Sequence, residues 1–459
     1  PVLEAFVFDG DGARFMQDYG LRTEGAKQKD FNSISALLIE SPGDNTLKEN
    51  KDHFIKRNSV NALCLHCAAT ALFTLQTNAP SGGAGHNTSI RGGGPLTTLV
   101  IAGYVHSLWQ TIWLNIKKRS DFLAANGDAT KTELEYSFPW VKEMKTLQAE
   151  GGQLTPIQVH PAHNFWGTPR RIRLDLDHIS AGECDCCGRQ SEVLVDRYIT
   201  KAKGLDYKGG WSHSLSPYYE NKPGEMLPLH PQPGGIGYKH WLAWSLGLQG
   251  NKKNVQPASI VSYVLESQRL KGKQCRLYAF GYDMDNMKAR CWYESTLPLY
   301  GLSEKNKDEL NDLQREIQRW LEAADLAAFY LRGAVKSSWF GDGVDARGDY
   351  SFIDAKFWSQ TETSFYQLLR SLIEQARSED DSFTSLREQW RDLLIKTAIR
   401  LFDADLVGAA PIAQQNPRRT AEAYKRLCLN LRGNKLKETL KLPTAKTDKK
   451  TKKFKQDAA

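Results

Sequence analysis

The sequence predicts an α+β chain. It comprises a mixed N-terminal domain over residues 1–300, a C-terminal four-helix bundle over residues 301–440, and a basic, disordered tail over residues 441–459. Three observations carry that prediction. Two cysteine pairs, Cys64-x-x-Cys67 and Cys184-x-x-Cys187, share one spacing although they lie far apart in the chain. Short apolar runs broken by Gly, Pro and Trp fill the first part, and a helical apolar period takes over after it.

The cysteine pairs set the organisation of the first domain. Two residues between cysteines let a tight turn aim both thiolates at one metal, which is zinc-knuckle spacing. Neither pair fills four tetrahedral positions alone, so each needs the other. A four-thiolate site leaves no coordination position open for water or substrate, so the expected role is a structural Zn2+ rather than catalysis. Unmetalled thiols and a redox pair are the weaker readings. Cys186, inside the second pair, is an alternative ligand, while Cys275, Cys291 and Cys428 read as ordinary buried cysteines.

The chain has 459 residues, 41% hydrophobic and 25% charged, the composition of a globular protein with a substantial core. Eight cysteines in that length, with two pairs at metal spacing, suit a reducing cytosol better than a disulfide scaffold. No secretory signal opens the sequence, and Pro1 in place of Met points to a processed or shortened N-terminus. The most apolar window, Leu96 to Ile116, is broken by His106, Ser107, Gln110 and Asn115, so no membrane span is expected. It reads as a strand, Leu96–Ala102, feeding an amphipathic helix whose stripe of Val105, Leu108, Trp109, Ile112, Trp113 and Ile116 is expected to be core. The net charge of +8 is concentrated, with fourteen Lys/Arg against four Asp/Glu from Arg418 onward. That end is either a polyanion-binding region or a solubilising tail.

Two long Gly/Pro-rich segments, Pro80–Pro95 and Lys208–Tyr238, read as functional loops rather than connectors. The helical part shows four faces. The first carries Leu310, Leu313, Ile317, Trp320, Leu321 and Ala324 behind an Asn306/Glu309 capping box. The second carries Phe357, Phe365, Leu368, Leu369 and Leu372, and the third Leu386, Trp390, Leu393, Leu394 and Leu401. The fourth opens on Asn416-Pro417, buries Ala421, Tyr424, Leu427 and Leu431, and stops near Gly433.

An enzyme reading rests on Asp9 and Asp11 with His160, His163 and His178, as a metal-dependent nuclease or RNA-processing site. A turn explains Asp-Gly-Asp-Gly better, and His213 reads as a loop anchor. No Walker A, nucleophile elbow or dinucleotide fingerprint is present. A nucleic-acid reading has three elements. Phe54 beside Lys56 and Arg57 can stack on a base while holding phosphates. The glycines of the 81–94 loop let main chain enter a narrow groove. The polar, loop-like segment Tyr282–Arg290 contains side chains able to wedge between bases.

Together these stretches resemble the CasA family, the large subunit of the type I-E CRISPR Cascade complex. The motifs are Ala62–Phe73, Asn78–Pro80, Arg91–Gly93 with Pro95–Thr98, Phe165-Trp166, Glu183–Gly188, Gly210–His213 with Ser216-Pro217, and Gly281-Tyr282, in family order. The resemblance spans nearly the whole chain but lacks an opening stretch of the family's N-terminal domain. It implies a non-catalytic, prokaryotic cytoplasmic subunit. Its implied partners are the other Cascade subunits, guide RNA, double-stranded target DNA and the helicase–nuclease of the system, with no membrane. Such subunits read the PAM beside a target and open the adjacent duplex so that guide pairing starts the R-loop, while base pairing carries the sequence information.

Carried over by residue, the implied zinc ligands are Cys64, Cys67, Cys184 and Cys187, and the first DNA-proximal loop is Phe54, Lys56 and Arg57. The implied PAM minor-groove loop is Gly82, Gly83, Ala84 and Gly85, with Ala84 at a position that is glycine in the best-known member. The PAM-reading lysine is Lys201 or Lys203, and the wedge loop is Asp285, Asn286, Met287 and Lys288, without the family's glutamine. The basic bundle surface, with Lys425, Arg426, Arg432 and Lys435, is expected to hold displaced strand or flanking duplex.

Overall fold

The structure is a computed structural model that describes residues 2–53, 55–103, 107–123, 130–249, 254–267, 275–285, 287–300, 307–375, 383–408 and 416–444. It divides into two compact units. The first comprises Pro1–Gln232, Gln249–Val264 and Cys275–Thr296, and the second Pro233–Leu248, Leu265–Gln274 and Leu297–Ala459. No described helix is long and apolar enough to cross a membrane.

The strands, in chain order, begin with β1 Phe31–Ser33, β2 Leu63–Cys64, β3 Thr97–Ala102, β4 Arg171–Leu174, β5 Ser180–Glu183 and β6 Gln190–Val195. They continue with β7 Arg197–Lys201, β8 Tyr218–Lys222, β9 Glu225–Pro228, β10 Val255–Gln256, β11 Cys275–Asp285 and β12 Lys288–Leu299. They form small sheets in the orders β1-β7-β4, β2-β6-β5, β10-β8-β9 and β12-β11-β3. The main core of the first unit gathers Ile34, Leu37, Leu63, Leu72, Trp140 and Leu174, and the buried Trp140 indole donates to the Ala5 carbonyl at 2.6 Å.

The helices of the first unit start with α1 Asp44–Lys48, α2 Leu65–Asn78 and α3 Leu108–Leu114. They are followed by α4 Arg119–Leu123, α5 Leu134–Ser137, α6 Trp241–Ser245, which belongs to the second unit, and α7 Ser259–Glu266. The expected strand is β3, and α3 follows it behind a Ser107/Gln110 capping box. Its stripe is not core. Leu108 is 76% and Trp109 63% exposed, and Ile112, Trp113 and Ile116 are also open to solvent. Helical spacing shows that a face exists, not that anything covers it; Val105 lies outside the described residues. Two segments expected as loops are partly strand: Lys208–Tyr238 contains the antiparallel pair β8 and β9, and Tyr282–Arg290 is the end of β11 and the start of β12.

The second unit is built on α8 Lys307–Phe340, α9 Ser351–Gln375, α10 Thr384–Arg400, α11 Pro417–Arg432 and the short α12 Asn434–Thr439. Helix α8 packs against α9, α10, α11 and α12, and α10 also meets α9 and α11. Residues Ile317, Trp320, Phe357, Phe365, Trp390 and Leu394 fill the space between them, as their spacing predicts. The expected start of α11 is present, since the Asn416 side chain accepts from the Arg419 N–H and Pro417 occupies the first position. Its buried row is Ala423, Leu427 and Leu431, so Ala421 and Tyr424 lie on the open side instead. Asn306 and the tail beyond residue 444 lie outside the described residues, while Leu442 is buried.

One charged cluster sits inside this helical core. Glu316 is 1% exposed and accepts from Arg387 Nε and Nη2, both at 2.7 Å, from Arg319 at 2.6 Å and from the Trp320 indole at 3.0 Å. Burial pushes its carboxyl up, but the Arg387 and Arg319 guanidinium groups more than reverse this and hold it below the ordinary glutamate range. Removing one member of such a pair leaves buried charge undercompensated. Arg387→Ala is therefore expected to cost about 3 kcal/mol in chemical denaturation, and a loss under about 1 kcal/mol would contradict the cluster's structural role.

Candidate metal centre and nucleic-acid interface

The four cysteines meet. Their sulfurs all lie within 4.8 Å of one another, and among the described residues they are the group of three or more His, Cys, Asp or Glu side chains placed to hold a metal. Sulfurs about 2.3 Å from a tetrahedral metal are about 3.8 Å apart, and Cys64 Sγ lies 3.8 Å from Cys187 Sγ. The set fits a closed four-thiolate metal centre.

Local sequence explains the convergence. Cys64 ends β2 and directly precedes α2, so Cys67 falls in the first helical turn on the same side. Strand β2 pairs with β6 through Leu63↔Val195 and Cys64↔Leu194, which brings the β5–β6 turn and its cysteines alongside. That turn is pinned. Asp185 accepts from the Asn61 and Ala62 N–H groups at 2.6 and 3.0 Å and donates its own N–H to the Ala62 carbonyl. Burial pushes the Cys184 thiol up, yet the N–H groups of Cys64, Cys187 and Cys186 aimed at its sulfur bring it down to about 6. Burial and the neighbouring thiols push Cys67 up. Cys186 is exposed and stands outside the cluster. Cys275 is buried as expected, but Cys291 is exposed and Cys428 only half-buried.

The glycine loop hangs from the far end of α2. Its base is tied there, with Ser89 N–H donating to Ala79 O at 2.9 Å and Gly94 N–H to Asn78 O at 3.0 Å. Arg91 is buried behind it, donating to Thr97 and Ser216 hydroxyls. Gly83–Gly85 form a single 3-10 turn, and Gly85 has φ +79°, a conformation that favours glycine. The Gly85 carbonyl accepts from the Lys203 N–H at 2.9 Å, and Asn87 donates to the Gly204 carbonyl at 2.8 Å. The turn and the lysine segment are thus one ridge, with Lys201 and Lys203 exposed on it. The side chain of Ala84 lies outside the described residues.

The segment expected to act as a wedge falls at the turn between β11 and β12. Met287 and Lys288 are exposed on it, as is Asp285, and Asn286 lies outside the described residues. Behind the tip, Arg290 pairs with Asp283 at 2.7 Å.

Two expected DNA contacts are otherwise engaged. Arg57 binds Asp52 through Nε at 2.5 Å and Nη2 at 2.6 Å and also reaches Leu47 O and Asn50, which holds its own turn together. That guanidinium holds the Asp52 carboxyl down to about 2. Arg426 makes a two-pronged pair with Asp342 at 2.8 and 2.7 Å. Lys56, Lys425, Arg432 and Lys435 are exposed, and Phe54 lies outside the described residues. In the second unit a groove of about 790 Å³ carries Arg391, Lys396, Arg400, Arg432 and Lys437 beside Asp392 and Asp403, a net basic lining whose cations span three helices and so escape linear reading.

The rival acidic–histidine set does not assemble into a metal-holding group among the described residues. Asp9 pairs with Arg14 at 3.7 Å. His160 Nδ1 accepts from Ala162 N–H, and His178 pairs with Asp175. His163 is buried between the Tyr136 carbonyl and the Tyr207 hydroxyl, and burial holds its pKa down to about 4. His213 anchors its loop by accepting from the Leu215 N–H.

The chain matches the family described as CRISPR-associated protein Cse1 over residues 1–401. It belongs to that family. Among solved structures it is similar to a CRISPR-associated protein from Thermus thermophilus, at 15% identity over 93% of this chain and 80% of that one, with a TM-score of 0.58. It is also similar to Cse1 from Thermobifida fusca, at 14% identity over 94% and 80% of the chains and a TM-score of 0.57. A chain of a CRISPR RNA-guided surveillance complex matches at 16% identity over 92% and 78%, with a TM-score of 0.57. The mixed α+β fold with a C-terminal helical region is therefore a Cse1 fold.

Two outcomes test this site. Cys64→Ser is expected to abolish stoichiometric metal and lower the melting temperature, while Cys186→Ser leaves both unchanged. Equal metal loss in the two variants would refute the ligand set. Because the His163 pKa falls from 6.5 to about 4 on folding, its contribution to stability is full above pH 6.5 and is lost as pH drops toward 4. His163→Gln should flatten stability across that window, and an unchanged pH profile would contradict the assignment.

Proposed function

We propose that this Cse1-family chain is a non-catalytic Cascade large subunit that recognises the PAM in double-stranded DNA and opens the adjacent duplex to start the R-loop. Zn2+ is the ion best suited to its four thiolates, since it favours tetrahedral sulfur coordination and does no redox chemistry. The ion's role is to hold the recognition frame; the reading is done by the chain's own residues. Guide RNA, the other Cascade subunits and the helicase–nuclease are the partners this role requires.

The observation that carries the reading is the 2.9 Å hydrogen bond from Lys203 N–H to the Gly85 carbonyl, which fuses the glycine turn and the Lys201–Lys203 segment into one ridge. A backbone turn in a minor groove separates A·T from G·C and little else, so a short and tolerant PAM suits it. Exposed Lys201 and Lys203 add phosphate contacts whose strength falls with salt. The Asp285–Lys288 hairpin tip supplies a wedge that lowers the cost of the first unpairing. Arg57 and Arg426 are left out of the DNA-contacting set because each is spent on a carboxylate. The residues up to about 300 form the reading part, and the bundle over 301–440, with Lys425, Arg432 and the basic tail over 441–459, meets strand or flanking duplex.

Replacing Gly82–Gly85 or shortening Asp285–Lys288 is expected to abolish PAM-dependent target binding while leaving complex assembly intact. Lys203→Ala should lower the slope of log affinity against log salt by about one. Unchanged PAM-dependent binding in both loop variants would reject the assignment.

A further inference from the structure

The glycine turn has a brace that no motif marks. Gln76, on α2, is 1% exposed, and its side-chain amide bonds both backbone groups of Arg170. Gln76 Nε2 donates to the Arg170 carbonyl at 2.9 Å, and Oε1 accepts from the Arg170 N–H at 3.0 Å. A buried amide used this way imitates a strand partner and fixes the backbone of residue 170 to the helix. The same Nε2 also reaches the Met16 carbonyl at 3.3 Å.

From that anchor the guanidinium turns to the loop. Arg170 Nη2 donates to the Pro80 carbonyl at 2.5 Å. A Cβ built on Gly82 would lie 2.9 Å from Arg170 Nη1 and 2.8 Å from His86 Cβ, so the turn is seated directly against the guanidinium group. The path is short and stiff: Cys64 and Cys67 flank the start of α2, Gln76 lies about 14 Å beyond Cys67 at the rise of a helix, and Arg170 spans from Gln76 to Pro80 and Gly82. Burial brings the Arg170 pKa down to about 10, which leaves it cationic at neutral pH.

Resting on the DNA-reading role proposed above, we infer that Arg170 and Gln76 are positioning residues that pass the rigidity of the four-cysteine centre to the Gly82–Gly85 turn and so set PAM discrimination. The planar fork matters as well as the charge. One arm holds Pro80 while the other lies under Gly82, and a lysine ammonium cannot do both.

The test uses the full chain assembled with guide RNA and its partner subunits, as wild type, Arg170→Lys and Arg170→Ala. Dissociation constants are measured for target duplexes with a preferred and a substituted PAM over a range of salt, alongside metal content and melting temperature. Expected is a discrimination ratio roughly tenfold lower in both variants, about the size of one lost base-pair preference, with the salt slope and metal content unchanged. Should Arg170→Ala lose metal or melt early, Arg170→Lys decides alone. Unchanged discrimination overturns the inference. So does recovery in Arg170→Lys with a shallower salt slope in Arg170→Ala, which would make Arg170 a phosphate contact. A wild-type complex without PAM discrimination would instead refute the DNA-reading role itself.

Discussion

The convergence of four sulfurs from two distant turns is the constraint on which this architecture rests. Strand β2 is two residues long and β5 four, too little for the sheet alone to hold the proposed recognition surface. The cysteines make one junction of three things: the start of α2, the β5–β6 turn and, through β6, the approach to β7 and Lys203. Asp185 secures that junction from the protein side by taking two backbone donors from the opposite turn. With both ends fixed, the loop after α2 and the lysines at and just beyond the end of β7 meet as a defined ridge.

Much of this was legible in the sequence. The Cys-x-x-Cys spacing carries its own geometry, and two half-sites must find each other. The long helices were legible because each carries several apolar side chains at helical spacing, as Leu313, Ile317, Trp320 and Ala324 do on α8. The Asn416-Pro417 start was legible because capping is a local interaction.

What was not legible is non-local. The stripe on α3 has the pattern of a core helix, but covering it requires a partner surface that periodicity says nothing about. The segment after Tyr282 is polar with charged ends, which hides its strand pairing because β12 carries exposed residues along much of its length. Arg426 looks like a free cation until the fold supplies Asp342, 84 residues away, whereas Arg57 is taken up locally by Asp52, five residues before it. Arg170 was missed for the opposite reason. Its importance comes from Gln76, 94 residues earlier, and no spacing rule links a buried glutamine to a distant backbone.

The second unit follows a different logic, with a buried charged cluster at Glu316 inside a mostly apolar helical core and a net basic groove on its surface. Hydrogen exchange measured with and without metal chelation reads the dependence of the first unit on its cysteine centre most directly. If the thiolate centre holds the proposed recognition ridge, chelation should release protection together at residues 63–94 and 184–204, while α8 to α10 stay protected. Loss confined to the cysteine turns, with the Ser89, Gly94 and Lys203 amides still protected, would contradict the account.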